Sequence, residues 1–221
     1  MSRRYDAVLF DLLTALLDSW SLWNAVAGSD NTGLRWRRAY LARTYATGAY
    51  RPYEALVAEA AAEAGLDRRL ADDLAARYAE LRPWPGVAGE LRRLEAAGVR
   101  LGVATNCSQV LGGVAASCVG SEFNVVVTAE RAGFYKPHPA PYRVALDALG
   151  VAPGRCLFVA GSAYDLVGAA SVGLDIWWHD RIGMAKPPEA PAPLRHTDRL
   201  AGLAEFVTPS ALSMRRKTTM S

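Results

Sequence analysis

Four short stretches carry the polar residues whose types and spacing could do chemistry. Asp11 directly follows the apolar run Ala7-Val-Leu-Phe10, and Thr105-Asn106 directly follows Arg100-Leu-Gly-Val-Ala104. Lys136 stands in Phe134-Tyr-Lys-Pro137, and Asp165 closes Gly161-Ser-Ala-Tyr-Asp165, just after Arg155-Cys-Leu-Phe-Val-Ala160. A carboxylate such as Asp11 could attack an electrophilic carbon or phosphorus, bind a metal, or simply cap the following segment. A hydroxyl beside an amide suits an anion, though polar loops also use such pairs. Taken singly, Lys136 and Asp165 read as solvated charges. Taken together, a carboxylate, a Thr-Asn pair, a lysine and a second carboxylate would converge on one crevice. A lysine near Asp11 would keep that carboxylate ionised, as a nucleophile must be.

That convergence requires a particular set of supporting elements. Apolar runs at 7–10, 100–104, 123–127, 155–160 and 175–178 read as buried strands, and helical patterns at 87–97, 109–118, 140–149 and 165–172 fall between them. Strands alternating with helices predict an α/β fold, a parallel sheet with helices on both faces. Ligands of such sheets bind beyond the carboxyl ends of the strands, where these polar residues fall. One segment breaks the alternation. From Ser19 to Leu81 the pattern is helical and strand-free, until Arg82-Pro-Trp-Pro-Gly86 forbids a continuing helix. This predicts a helical cap inserted after the first strand, over residues 19–82, on a core formed by 1–18 and 83–207. Residues 208–221 lack an apolar pattern and read as a basic tail.

Composition removes several function classes. The 221 residues carry 25 Lys and Arg against 22 Asp and Glu, a formal charge of +3. Arg215, Arg216 and Lys217 account for that excess, so the remaining body is formally neutral and lacks the basic face nucleic-acid binding needs. The 3 cysteines show no CxxC spacing, so neither a disulfide framework nor a zinc knuckle is indicated. No apolar stretch approaches the ~20 residues of a membrane span. The N-terminal apolar run is shorter than the about 7–15 residues of a signal peptide, and a cytoplasmic location is expected.

In order and spacing, these motifs resemble those of the haloacid dehalogenase superfamily, over roughly residues 5–182. Its four motifs correspond to Phe10-Asp11, Thr105-Asn106, Tyr135-Lys136-Pro137, and Gly161-Ser162 through Asp165. The resemblance implies a Rossmann-like core with the cap just described. Phosphatases of the superfamily carry a second motif I Asp and further motif IV acids that hold Mg²⁺, but this chain has Leu13 and Gly161 there. The L-2-haloacid dehalogenase branch needs neither metal nor cofactor, and is matched further by Trp36-Arg37, by Tyr142 six residues after Lys136, and by Tyr164 before Asp165. That branch implies a catalytic Asp11, Lys136 and Asp165. Arg37, Asn106 and Tyr164 would face the leaving halide, Thr105 the substrate carboxylate, and Ser162 the attacking water, with Tyr142 also at the substrate. The implied partner is a small anionic carboxylate, neither nucleic acid nor membrane, and relatives of the branch are often homodimers. A Mg²⁺-dependent phosphatase and a non-catalytic acid-binding protein are the alternatives.

Motif I of that branch normally reads Asp-x-Tyr-Gly-Thr. Here it reads Asp11-Leu-Leu-Thr-Ala15, so the hydroxyl that usually bonds the nucleophile is absent at Ala15. Motif IV normally places Ser-Ser-Asn before its aromatic, where this chain has Ala160, Gly161 and Ser162 in the same stretch. Both departures predict a nucleophile stripped of part of its supporting shell.

Overall fold

The computed structural model describes residues 3–209; the basic residues of the predicted tail lie outside the described residues. Six parallel strands form one sheet in the order β3-β2-β1-β4-β5-β6: β1 (Ala7–Phe10), β2 (Arg100–Thr105), β3 (Val125–Thr128), β4 (Cys156–Ala160), β5 (Asp175–His179) and β6 (Arg195–Thr197). The helices are α1 (Ser19–Ala27), α2 (Asp30–Thr47), α3 (Tyr53–Glu63), α4 (Leu70–Ala76), α5 (Val87–Ala96), α6 (Gln109–Ser117), α7 (Ala129–Ala132), α8 (Pro139–Leu149), α9 (Asp165–Ser171) and α10 (Leu203–Val207).

β1 shows why its sequence is continuously apolar. Side chains alternate across a strand, so Val8 and Phe10 enter the core beneath α5 and α6, while Ala7 and Leu9 enter the core beneath α8 and α9. Both faces are dry, and no polar position is tolerated until the strand ends at Asp11. β6 was not anticipated, because Arg195-His-Thr197 has no apolar run and is largely exposed at the sheet edge. The end of the predicted helical segment is formed by α4 and then a separate 3₁₀ turn at Tyr78–Glu80.

Helices α1–α4 pack on one another between β1 and α5. Their two connections run side by side, with an antiparallel bridge at Leu17 and Pro83 and a bond from Asp18 N to Arg82 O. A second bridge joins Ala49 to Phe134, two residues before Lys136, and the Tyr40 hydroxyl donates to Asn106 O at 2.7 Å. The inserted helices are thus tied to the strand-end loops that carry the polar residues. Among the described residues, no helix is long and apolar enough to cross a membrane.

Candidate active site

Asp11 emerges from β1 and is 6% exposed. Its two oxygens are treated differently. Oδ1 accepts from Lys136 Nζ at 2.8 Å, whereas Oδ2 accepts from Thr14 N at 2.9 Å, Thr14 Oγ1 at 2.6 Å and Ala15 N at 3.2 Å. The turn that presents these donors is held from behind through three successive carbonyls. Ser19 Oγ donates to Leu13 O, Trp84 Nε1 to Thr14 O at 3.0 Å, and His179 Nδ1 to Ala15 O at 2.8 Å. Burial holds the His179 imidazole below its ordinary pKa, which favours the neutral ring that donates from Nδ1.

Lys136 is delivered by the segment after α7. Asn106 clamps its backbone, accepting from Lys136 N at 2.7 Å and donating to Lys136 O at 3.0 Å. Asn106 thus holds the Lys136 backbone with both ends of its amide while also lining the cavity described below. Lys136 Nζ also reaches Asp165 Oδ2 at 3.1 Å. α9 can bring Asp165 this close because Gly168 lies against the Lys136-Pro137 segment; a Cβ there would fall 2.6 Å from Pro137 O. Burial alone would raise the Asp11 pKa, but the Lys136 charge and the bonds from Lys136 and Thr14 outweigh it and hold the carboxyl below its usual range. Burial wins at Asp165, pushing it up to about 6 despite Lys136. Burial opposes charge on Lys136 too, yet its two carboxylate neighbours keep it above the ordinary lysine value.

Arg37 comes from α2 and is 1% exposed. Its Nη2 donates to Ser19 Oγ at 3.0 Å, and its guanidinium lies over the rings of Trp20, Trp23 and Tyr40 at 5.4, 4.7 and 5.3 Å. Nε and Nη1 have no partner among the described residues, and neither does the buried Thr105 Oγ1. Buried donors of this kind ordinarily find acceptors, so both point to a polar guest. They line one cavity of about 20 Å³ with Asp11, Lys136, Asn106 and Ser162, walled on its apolar side by Leu13, Leu41 and Tyr45.

Two expected residues stand elsewhere. Tyr164 does not line this cavity; it is 41% exposed and stacks on Tyr45 at 4.8 Å. Tyr142 is buried behind Asp165, its hydroxyl 3.4 Å from Asp165 O. The aromatics that line it are Tyr40 and Tyr45, and the hydroxyl of Tyr45 lies 3.3 Å from Asp165 Oδ1. The signal for Tyr45 was helical spacing: Arg37, Leu41 and Tyr45 recur every fourth residue and so share a face of α2. Ser162 does line the cavity, with Oγ accepting from Tyr164 N at 3.3 Å. Among the described residues, no group of three or more His, Cys, Asp or Glu is placed to hold a metal ion.

Comparison with known proteins agrees with this geometry. Residues 5–173 match the family described as haloacid dehalogenase-like hydrolase. The chain is 30% identical over 200 residues to haloacetate dehalogenase H-2 of a Moraxella species, covering 83% of this chain and 89% of that one. It is 26% identical to the (S)-2-haloacid dehalogenase H-109 of Pseudomonas putida, covering 91% and 97%. The structure of the L-2-haloacid dehalogenase of Xanthobacter autotrophicus with chloropropionic acid covalently bound has the same fold, at a TM-score of 0.82 and 23% identity over 94% of this chain and 100% of that one.

Proposed function

The chain belongs to the haloacid dehalogenase-like hydrolase family, on its L-2-haloacid dehalogenase branch, and we propose that it hydrolyses the carbon–halogen bond of a short 2-halocarboxylic acid through an ester on Asp11. The observation that carries this reading is the pairing across one cavity of an ionised carboxylate, held by Lys136, with a buried arginine that has unpartnered N–H groups. A carboxylate so held is a nucleophile, and an arginine so placed awaits an anion.

In this reaction Asp11 Oδ1 attacks C2 of the substrate, an ester forms, and the halide leaves with the electrons of the broken bond. Arg37 receives the halide by charge, and Thr105 Oγ1 donates to the substrate carboxylate. Water then attacks Asp11 Cγ, with Ser162 placed at the same cavity to orient it. Its proton passes to the departing 2-oxyanion by way of the Lys136–Asp165 pair. Asp11 is left as a carboxylic acid carrying the water oxygen and ionises again beside Lys136. The balance is one 2-hydroxy acid, one halide and one proton for each 2-halo acid and water.

Helices 19–82 act as the cap and 1–18 with 83–207 as the core. The cavity is small, about 20 Å³, which favours short acids. Two- and three-carbon acids are therefore the preferred substrates. Single turnover of (S)-2-chloropropionate in H₂¹⁸O tests the reading: halide release survives EDTA, and label enters Asp11 before the product. Absence of label from Asp11, or Mg²⁺-dependent hydrolysis of p-nitrophenyl phosphate without dehalogenation, would overturn it.

A further inference from the structure

The absent hydroxyl at Ala15 has a replacement, and the residue that makes room for it is distant in sequence. Gly161 has no left-handed backbone that would demand glycine. Its requirement is space: a Cβ at Gly161 would fall 2.2 Å from Ala15 N, 2.3 Å from the Thr14 carbonyl carbon and 2.3 Å from Thr14 Oγ1. These are the two residues whose three donors converge on Asp11 Oδ2. Any side chain at 161 would therefore lift the turn away from the carboxylate it serves.

We propose that Thr14 and Gly161 form one positioning unit for the nucleophile, in which the missing side chain of Gly161 seats the Thr14–Ala15 turn and the Thr14 hydroxyl completes a three-donor cradle on Asp11 Oδ2. The proposal rests on the reading that Asp11 forms an ester. Oδ1, held only by Lys136, is the oxygen that attacks. Oδ2 then becomes the ester carbonyl oxygen. When water adds to Cγ, the carbonyl electron pair moves onto Oδ2, and the cradle receives that charge until the pair returns and the bond between Cγ and Oδ1 breaks. Donors aimed at an oxygen that gains charge in the second step speed that step more than the first.

The test compares Thr14→Val, which keeps shape but removes the hydroxyl, with Thr14→Ser, which keeps it. Stopped-flow halide release and mass spectrometry of the quenched enzyme are followed with chloroacetate. Loss of one such donor costs about 10- to 1000-fold in rate, so Thr14→Val shows a stoichiometric burst of halide followed by slow turnover. The ester accumulates, and kcat and KM fall together while kcat/KM changes little. Thr14→Ser stays within a few-fold of the parent. Gly161→Ala slows ester hydrolysis at least as much as Thr14→Val, and the double variant is no slower than Gly161→Ala alone. Normal turnover of Thr14→Val, or a loss without ester accumulation, overturns the proposal. A parent enzyme that releases no halide would instead refute the ester reading. The cradle is then read by ¹³C titration of Asp11, whose midpoint rises in Thr14→Val because a hydrogen bond to the charged form is lost and, if the hydroxyl bears no weight, does not move.

Discussion

Replacing Lys136 with methionine leaves Asp11 and Asp165 buried without the ammonium that both touch, at 2.8 and 3.1 Å. Removing one partner of a buried ion pair costs about 3–5 kcal/mol, and here the burden shifts to protonation. In the parent, the cluster of one cation and two anions carries a single net negative charge, and Asp165 already titrates at about 6. That displacement from 3.8 amounts to about 3 kcal/mol against the ionised form. Because its folded pKa is raised, Asp165 favours the fold below about pH 4, and that contribution disappears as pH rises through about 6. Without Lys136 the folded protein must bind one further proton between pH 6 and 8, since two adjacent buried carboxylates cannot both stay ionised. One extra proton gives a slope of about 1.4 kcal/mol per pH unit, and Asp165 of the parent itself takes up part of a proton as pH falls to 6, so the stability deficit of Lys136→Met shrinks by about 2 kcal/mol between pH 8 and 6. Urea denaturation of parent and variant at each pH measures this difference directly. In Lys136→Met/Asp165→Asn only one carboxylate remains, and the deficit at pH 8 becomes smaller. A deficit that does not vary with pH, or one that the second substitution deepens, would refute the description of the three residues as one coupled charge cluster.

Two further outcomes follow from the unpartnered donors. Arg37→Leu keeps the packing against Trp20, Trp23 and Tyr40 but removes the cation. It lowers kcat for chloroacetate about 100-fold or more, with a smaller loss for bromoacetate, whose leaving group needs less help; equal losses would contradict a halide role. Thr105→Val removes a hydroxyl that has no protein partner, so stability stays within about 1 kcal/mol by thermal melting. KM for chloroacetate rises about tenfold at nearly constant kcat, and an unchanged KM would mean the hydroxyl does not meet the substrate.

Legibility in the sequence divides along a physical line. Asp11 and Asp165 were readable because a parallel sheet buried on both faces admits polar residues only where strands end, and the ends of neighbouring strands are neighbours in space; Lys136, which follows α7, was readable through the resemblance carried by Tyr135-Lys136-Pro137. The inserted helices were readable from uninterrupted helical pattern between Ser19 and the prolines at Pro83 and Pro85. Thr14 and Gly161 were not. As sequence they are two separate departures, each of which removes something, and only the contact distances at Gly161 show that one accommodates the other. The clamp that Asn106 makes was hidden for a similar reason. Residue type predicts an amide that donates and accepts, but only the fold brings the Lys136 backbone within 2.7 and 3.0 Å of it. Tyr45 lay within reach of pattern alone, since it follows Arg37 on one face of α2, whereas the adjacency of Tyr164 to Asp165 suggested an interior position that α9 does not provide.

The placement of the two cations bears on how the proposed displacement is driven. Asp11 and Asp165 balance Lys136 and Arg37, so the empty site is neutral and a monoanionic acid gives it one negative charge. That total is unchanged when the ester forms; the negative charge on Asp11 moves to the halide. The reaction therefore translates a charge within a buried cavity, where fixed cations act more strongly than in water. Lys136 stands where the charge starts, clamped to the strand-end loop of β2 through Asn106. Arg37 stands where it arrives, on α2, and Ser19 links it to the Leu13 carbonyl of the nucleophile's own turn. An opened cap would carry Arg37 away and leave Asp11 held by Lys136 and the Thr14–Ala15 donors. In the proposed reaction, ester formation would then have no receptor for its product anion.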